Sequence, residues 1–439
     1  MGFYFGLAYV FLRFSMAQES LTLLVHLNLY LALLTGAPAV ILSLVGGGFH
    51  RAIQSATGKC WMVFIALMIA SLPFSSWIGS SVGLFMGYIR ADFPILFIIG
   101  GMILTWKEFK MLMGALAISG ACTLAMERFF ASQDDGRLGL AGGSISNAND
   151  YAAHVLMLLP FLLWVVLTPC ARIYKAFSLG LLCVGLFFVL KTGSRGALIA
   201  IGVGFLAVLL RGPGKLRWIL GIVGPVAVIA SFSFLPASVL FRFANVVSNQ
   251  TTVTAAAEDT TGALESGEQR RYLLKKSIQF TFEHPIFGVG LGDFATFEGG
   301  TRAQTKHGQW QQTHNSFTQV SSEMGIPAAV GYVGAVLCAL FSLSRVMSRG
   351  KRDKIPILVV TAFMCMLSIV MMTTCMAFLS LAYRFYLPAL TALAIALERI
   401  SRMEFAGPAA AASVPAFART RTPVARLQQS RFAREGFRA

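Results

Sequence analysis

The sequence predicts an all-α polytopic membrane protein of about twelve transmembrane helices with one large, partly helical external loop. Three observations predict it. The 439 residues are 56% hydrophobic and only 13% charged, with a mean hydropathy of +0.70. A soluble chain is about 45–50% apolar and about 25% charged, so here too few charges remain to coat a globular surface and lipid must solvate much of it. Apolar runs close to the length needed to cross a bilayer recur along the chain, and the basic residues cluster between them, as the positive-inside rule requires of cytoplasmic loops.

The net charge of +17 would raise the question of nucleic acid in a soluble protein. Its distribution in short clusters, without any RNA- or DNA-binding signature, excludes that class. The seven cysteines (Cys60, Cys122, Cys170, Cys183, Cys338, Cys365 and Cys375) all lie within or beside apolar segments. No CxxC pair or Cys/His cluster occurs, so the pattern points to small hydrophobes, with neither a disulfide framework nor a zinc site. The apolar N-terminus lacks a small-residue cleavage site and reads as a retained first span.

The apolar runs lie near residues 2–17, 21–48, 60–79, 91–106, 109–127, 152–170, 176–191, 196–211, 217–235, 322–344, 356–378 and 383–399. The second contains Gly36-Ala37-Pro38, a place to kink or split it. This divides the chain into helices 1–9 in residues 1–235, a loop at 236–321, helices 10–12 in 322–400 and a basic tail at 401–439. The tail, rich in Ala, Pro and Arg, reads as cytoplasmic and disordered. Alternation then places Arg51/Lys59, Lys107/Lys110, Arg172/Lys175, Arg211/Lys215/Arg217 and the run Arg345 to Lys354 in the cytoplasm. They outnumber the cations of the opposite short loops: Arg13, Arg90, Arg128, Arg137, Lys191, Arg195 and Arg384. The long loop is thereby external, facing the periplasm of a bacterium. Arginines at that face run against the rule and are candidates for function, with snorkelling as the competing explanation. Arg195 and Arg384 stand out.

Charge in the long loop is balanced, and residues 248–267 are rich in Thr, Ala and Gly and read as mobile. Ser266-x-x-Gln269 has the form of a capping box for a helix running to about Glu283. On it Arg270, Leu274, Ser277, Ile278 and Thr281 share a face, and His284-Pro285 ends it. Phe287-Gly288-Val289-Gly290-Leu291-Gly292-Asp293 fits neither the P-loop nor the dinucleotide fingerprint and reads as a tight backbone turn. His314 stands where the loop re-enters the membrane, ahead of a helix broken near Gly325-Ile326-Pro327. A lone histidine is more often structural than catalytic. This one is polar-flanked at the water–lipid boundary, and neutral imidazole is the base available near pH 7.

The pattern Arg270 … His284-Pro285-x-x-Gly288-x-Gly290 … His314-Asn315, with Gly325 following after nine residues, resembles the O-antigen ligase and O-antigen polymerase superfamily. Ala328 stands where that family has a second glycine. Asn147-Ala148-Asn149 and Ser194-Arg195-Gly196-Ala197 also resemble family features, and the resemblance covers roughly residues 90–400. It implies a GT-C-like glycosyltransferase of the Gram-negative inner membrane with its site at the periplasmic face. The donor it implies is a glycan on undecaprenyl diphosphate, and a ligase's acceptor is a sugar hydroxyl of lipid A–core. No cofactor, metal or nucleic acid is expected, in keeping with the lack of a DxD-type acidic cluster in the loop.

A departing lipid diphosphate develops negative charge that fixed cations must meet, and arginine's planar fork suits this better than lysine. Arg195 and Arg270 are the first candidates, Arg137 and Arg384 follow, and Arg271 replaces Arg270 if the register shifts by one. The resemblance casts His314 as the base for inverting transfer, supported by Asn315, Gly288, Gly290 and Gly325. Polymerases tend to carry two sizeable external loops and this chain has one, which favours ligase; a protein O-oligosaccharyltransferase is a further relative. A lipid-linked sugar flippase is the rival from another class, but no internal repeat joins the two halves.

Overall fold

A computed structural model describes residues 2–134, 137–140, 147–214, 257–300 and 310–405, with a few isolated positions between 140 and 241. The apolar run at 217–235 is largely outside the described residues, as are the stretch 248–256 and the tail from 406 onward.

The first apolar runs form α1 (Gly2–Ser15), α2 (Ala17–Val25), α3 (Leu31–Val45) and the short α4 (Gly48–Ile53). The run 21–48 does split, but not at Gly36-Ala37-Pro38. The break falls at residues 26–30, where His26 and Tyr30 adopt left-handed backbone and the Asn28 side chain accepts the Tyr30 N–H at 2.9 Å. Pro38 sits inside α3, while Gly36 lies against the Tyr9 ring, 2.7 Å from where a Cβ would stand. α3 thus runs without interruption, packed against α1, through the point where sequence alone suggests a break.

Next come α5 (Ala56–Ser71) with a 3₁₀ turn to Phe74, α6 (Ile78–Gly87), a π turn over Tyr88–Asp92, and α7 (Ile95–Met102). Together Ile78–Met102 is one membrane-length segment. The expected span at 91–106 therefore starts too late. Arg90 and Asp92 interrupt the hydropathy, but Asp92 is half-buried and paired with Arg13 of α1, so its charge is matched inside the bundle. α8 (Trp106–Phe130) opens on a complete capping box, Thr105 with Glu108.

α8 leads into an antiparallel hairpin, β1 (Ala131–Asp134) and β2 (Arg137–Leu140), an element the all-α expectation does not contain. The remaining helices are α9 (Ala148–Leu167), α10 (Arg172–Lys191), α11 (Arg195–Arg211), α12 (Ala257–Glu283), α13 (Phe294–Gly300), α14 (Ser316–Arg352), α15 (Pro356–Met376) and α16 (Tyr386–Met403). α12 begins at Ala257, nine residues ahead of Ser266, so the proposed capping box lies inside the helix.

Among the described residues, seven helical segments are long and apolar enough to cross a membrane: Ala56–Phe74, Ile78–Met102, Trp106–Glu127, Ala148–Leu167, Arg172–Lys191, Ser316–Arg352 and Pro356–Met376. α1, α3 and α11 are shorter, and α16 carries Glu398, Arg399 and Arg402. The main core is one cluster uniting α9, α14, α15 and α16 with α1, α5, α7 and α8. A separate small core of Leu273, Phe280, Val289 and Phe294 belongs to the loop, which therefore packs as a unit of its own on the bundle.

Candidate functional site

Three helix starts and one loop segment converge at one end of the bundle. α9 begins at Asn147, whose side chain accepts the Asn149 N–H at 2.8 Å. α11 begins at Ser194, whose Oγ accepts the Ala197 N–H at 3.4 Å. Gly196 has to be small there, since a Cβ would stand 3.0 Å from that of Phe378. α14 begins at Asn315, whose Oδ1 accepts from Phe317 N at 2.9 Å and Thr318 N at 3.1 Å. Polar side chains at N-caps leave helix N-termini facing the same space, a setting suited to anions.

An open pocket occupies that space, lined by Asn149, Ser194, Gly196, Ala197, Arg270, Cys375, Phe378 and Leu379. Arg195 is half-buried between two of those lining residues. Arg137, on β2, donates from Nε to the Thr192 carbonyl at 2.9 Å and from Nη2 to Asn149 Oδ1 at 3.0 Å. It ties the hairpin to the end of α10 and the start of α9. Arg270, on the half-buried flank of α12, reaches the pocket from the loop side. Four of the five charged candidates thus meet here: Arg137, Arg195, Arg270 and His314.

His314 is held by its backbone. It adopts left-handed φ, 50°, and its N–H donates to Ser380 Oγ at 2.8 Å. Thr313 Oγ1 donates to the Asn315 carbonyl at 2.9 Å, Ser316 Oγ donates to the Leu379 carbonyl at 2.6 Å, and the Leu381 N–H returns to Ser316 Oγ at 2.9 Å. The segment before α14 is in this way zipped to the turn after α15, one residue beyond the pocket-lining Leu379. A non-glycine residue in left-handed backbone is uncommon and persists only where surrounding contacts over-determine it. Partial burial, and then the nearby Arg270 charge, push the His314 imidazole below its ordinary 6.5. At neutral pH it is therefore uncharged and able to accept a proton.

The glycines are structural in a specific way. Gly288, Gly290 and Gly292 all have positive φ, and the loop they form lies backbone to backbone against α14. Val289 N donates to the Ser322 carbonyl at 2.9 Å, Gly290 N to the Glu323 carbonyl at 3.0 Å, and Ile326 N to the Pro285 carbonyl at 2.7 Å. A Cβ at Gly288 would lie 2.2 Å from the Glu323 carbonyl carbon, and one at Gly325 2.3 Å from the Ile286 oxygen. Gly325, at φ 84° and ψ 173°, is the break in α14 that the sequence places near Gly325-Ile326-Pro327. The break opens helix carbonyls and N–H groups for the loop to bind, which docks α12, and with it Arg270, against the α14 helix that follows His314.

Arg384 stands apart. It is exposed on the turn before α16, with its charge near Asp92 and Asp150, and does not line the pocket. Other residues hold the site that no sequence motif singles out. Buried Asp293 accepts at Oδ2 from Ser75 Oγ at 2.6 Å and from Trp77 N at 2.9 Å, pinning the glycine loop to the α5–α6 turn. Glu323 Oε2 accepts the Gly292 N–H at 3.0 Å, and Ser380 holds His314. A buried acid directly after a glycine run was the available signal for Asp293; Ser380 carried none.

Fold and site together define a multi-pass helical membrane protein with a pocket at one end of its bundle that Arg270 lines and Arg137, Arg195 and His314 adjoin. A family model described as O-antigen ligase matches residues 179–333, a stretch that contains Arg195, Arg270, Gly288, Gly290, His314, Asn315 and Gly325. Over that stretch the chain is similar to the O-antigen ligase/polymerase superfamily, whose members are glycosyltransferase-like enzymes handling lipid-linked glycans. Arg137 and Arg384 lie outside the matched residues. A search of curated proteins finds no match to the chain.

Proposed function

We propose that this protein is an O-antigen ligase. It transfers a glycan from undecaprenyl diphosphate to a sugar hydroxyl of lipid A–core, at the periplasmic face of a Gram-negative inner membrane, through a twelve-span GT-C-like bundle. The observation that carries the reading is the shared placement of Arg270, the start of α11 and Asn149 around one pocket, with Arg270 close enough to depress the basicity of His314.

In this mechanism the acceptor hydroxyl oxygen attacks the anomeric carbon from the side opposite the diphosphate. The new C–O bond forms as the anomeric carbon–phosphate oxygen bond breaks, so configuration inverts. His314 takes the hydroxyl proton, and the electron pair of the broken bond leaves on the lipid diphosphate. Arg195 and Arg270 meet that charge, and Arg137 both braces Asn149 and adds to the positive field. Fixed cations aimed at charge that develops in the transition state supply the larger effect, on the order of 10²–10³ in rate per contact.

The test is transfer by the purified protein from undecaprenyl-diphosphate glycan to lipid A–core, with no other protein present. The ligase reading expects transfer that His314→Ala abolishes. Extension of one lipid-linked glycan by another, with lipid A–core ignored, would replace it by a polymerase.

A further inference from the structure

The flank of α12 left over from catalysis carries an exposed apolar stripe. At about 100° per residue, Leu274, Ile278 and Phe282 fall within one arc of roughly 80°. They lie between the buried face formed by Leu273, Ser277 and Phe280 and the polar face formed by Lys275, Gln279 and Glu283. Phe282 is 72% exposed, and Ile286, just past the helix end, 60%. The polar face satisfies itself, since Lys276 donates to Gln279 and Gln279 to Glu283. The apolar arc has no such closure.

The fold shows what continues this arc. Ile286 adjoins the α14 break, where Ile326 N binds the Pro285 carbonyl. From Ile326 the exposed side chains of α14 run Ile326, Val330, Leu337 and Phe341, a single face of a membrane-length helix. On the other flank Phe74, itself exposed, stacks on Phe287 with centroids 4.1 Å apart, and Trp77 and Ile78 beside it are exposed as well. The stripe on α12 is thus continuous with exposed apolar faces of membrane-length helices. Lys275 borders it, and Arg271 lies on the same arc at its N-terminal end, with charge suited to anionic headgroups.

We infer that the second half of α12 is an interfacial helix: Leu274, Ile278, Phe282 and Ile286 enter the headgroup–acyl boundary, and the external loop rides on the bilayer surface. The occupant of this face is phospholipid. The arrangement holds Arg270, on the adjoining flank of the same helix, at the depth where a lipid's headgroup lies.

The test uses the full chain in phosphatidylethanolamine–phosphatidylglycerol vesicles containing brominated phosphatidylcholine. Phe282→Trp and Ile278→Trp each add a reporter on the stripe, and Gln279→Trp adds one on the polar face. The inference expects the added fluorescence at 282 and 278 to be lost to bromolipid and shielded from iodide, with the reverse at 279. Quenching of 282 and 278 by iodide alone would overturn it. Shielding from both quenchers would also overturn it, since a second copy of the chain or another protein would then cover the face. Two reporter positions guard against one substitution failing to fold, and no outcome depends on glycosyl transfer.

Discussion

Gly325→Ala tests the docking of the loop most directly. The substitution places a Cβ on a residue at φ 84° and ψ 173°, a region essentially closed to side chains, at a cost of order 1–3 kcal/mol. The same Cβ would stand 2.3 Å from the Ile286 carbonyl oxygen, and the atoms in the way are backbone, so they cannot rotate aside. Relief requires the Pro285–Ile286 segment to move off α14. That movement loses the Ile326–Pro285 hydrogen bond and strains the Val289–Ser322 and Gly290–Glu323 pair, each worth about 0.5–1.5 kcal/mol. The expected total is on the order of 2–6 kcal/mol, concentrated in the contact that carries Arg270 toward His314. The control is Gly334→Ala in the same helix, where the nearest atom to a new Cβ is Cys60 Sγ at 3.4 Å, an ordinary contact. Thermal unfolding in detergent and single-turnover transfer with the purified lipids give the readouts. Gly325→Ala should lower both Tm and turnover while Gly334→Ala leaves them near the parent. Parental Tm and turnover in Gly325→Ala would refute the view that the glycine break docks the loop.

Arg195→Ala and Arg270→Ala should each cut the rate of transfer by about 10²–10³, with a smaller change in acceptor binding, measured as kcat against KM in the reconstituted reaction. Because burial and the Arg270 charge hold the His314 imidazole below 6.5, its protonation should set an acid limb of kcat/KM below that pH, with the base form and full rate above it. Arg270→Gln removes one depressing charge, so the limb in its residual activity should move to higher pH; an unmoved limb would exclude His314 as the titrating base. Asp293→Asn should destabilise the protein by about 1.5–3 kcal/mol for each charge-assisted bond it loses to Ser75 and Trp77, read as a fall in Tm. Arg137→Lys cannot reach both Thr192 and Asn149 with one fork, and should lower turnover while leaving Tm little changed.

What the sequence determined by itself was part of what depends on local chemistry, while Ser266-x-x-Gln269, which has the form of a helix start, lies inside α12. Hydropathy marked the membrane class because a bilayer excludes charge over a known thickness. Gly325-Ile326-Pro327 marked the break in α14, and His284-Pro285 the end of α12, because backbone geometry at glycine and before proline is set within a few bonds. Local rules failed where packing intervened. Tyr9 against Gly36 carries α3 through Pro38, and Arg13 pairs with Asp92 inside a span.

Only the tertiary structure decided which of the arginines lie together. Arg137, Arg195, Arg270 and His314 are spread over 178 positions of sequence and meet because α9, α11 and α14 start at one end of the bundle and a glycine loop pins α12 across it. Arg384 looks identical to Arg195 in sequence terms, an outer-face arginine at a helix start, yet it faces Asp92 and Asp150 outside the pocket. Long-range position of this kind depends on helix packing and loop docking, which arise from contacts between distant residues and leave no trace in the spacing of near ones.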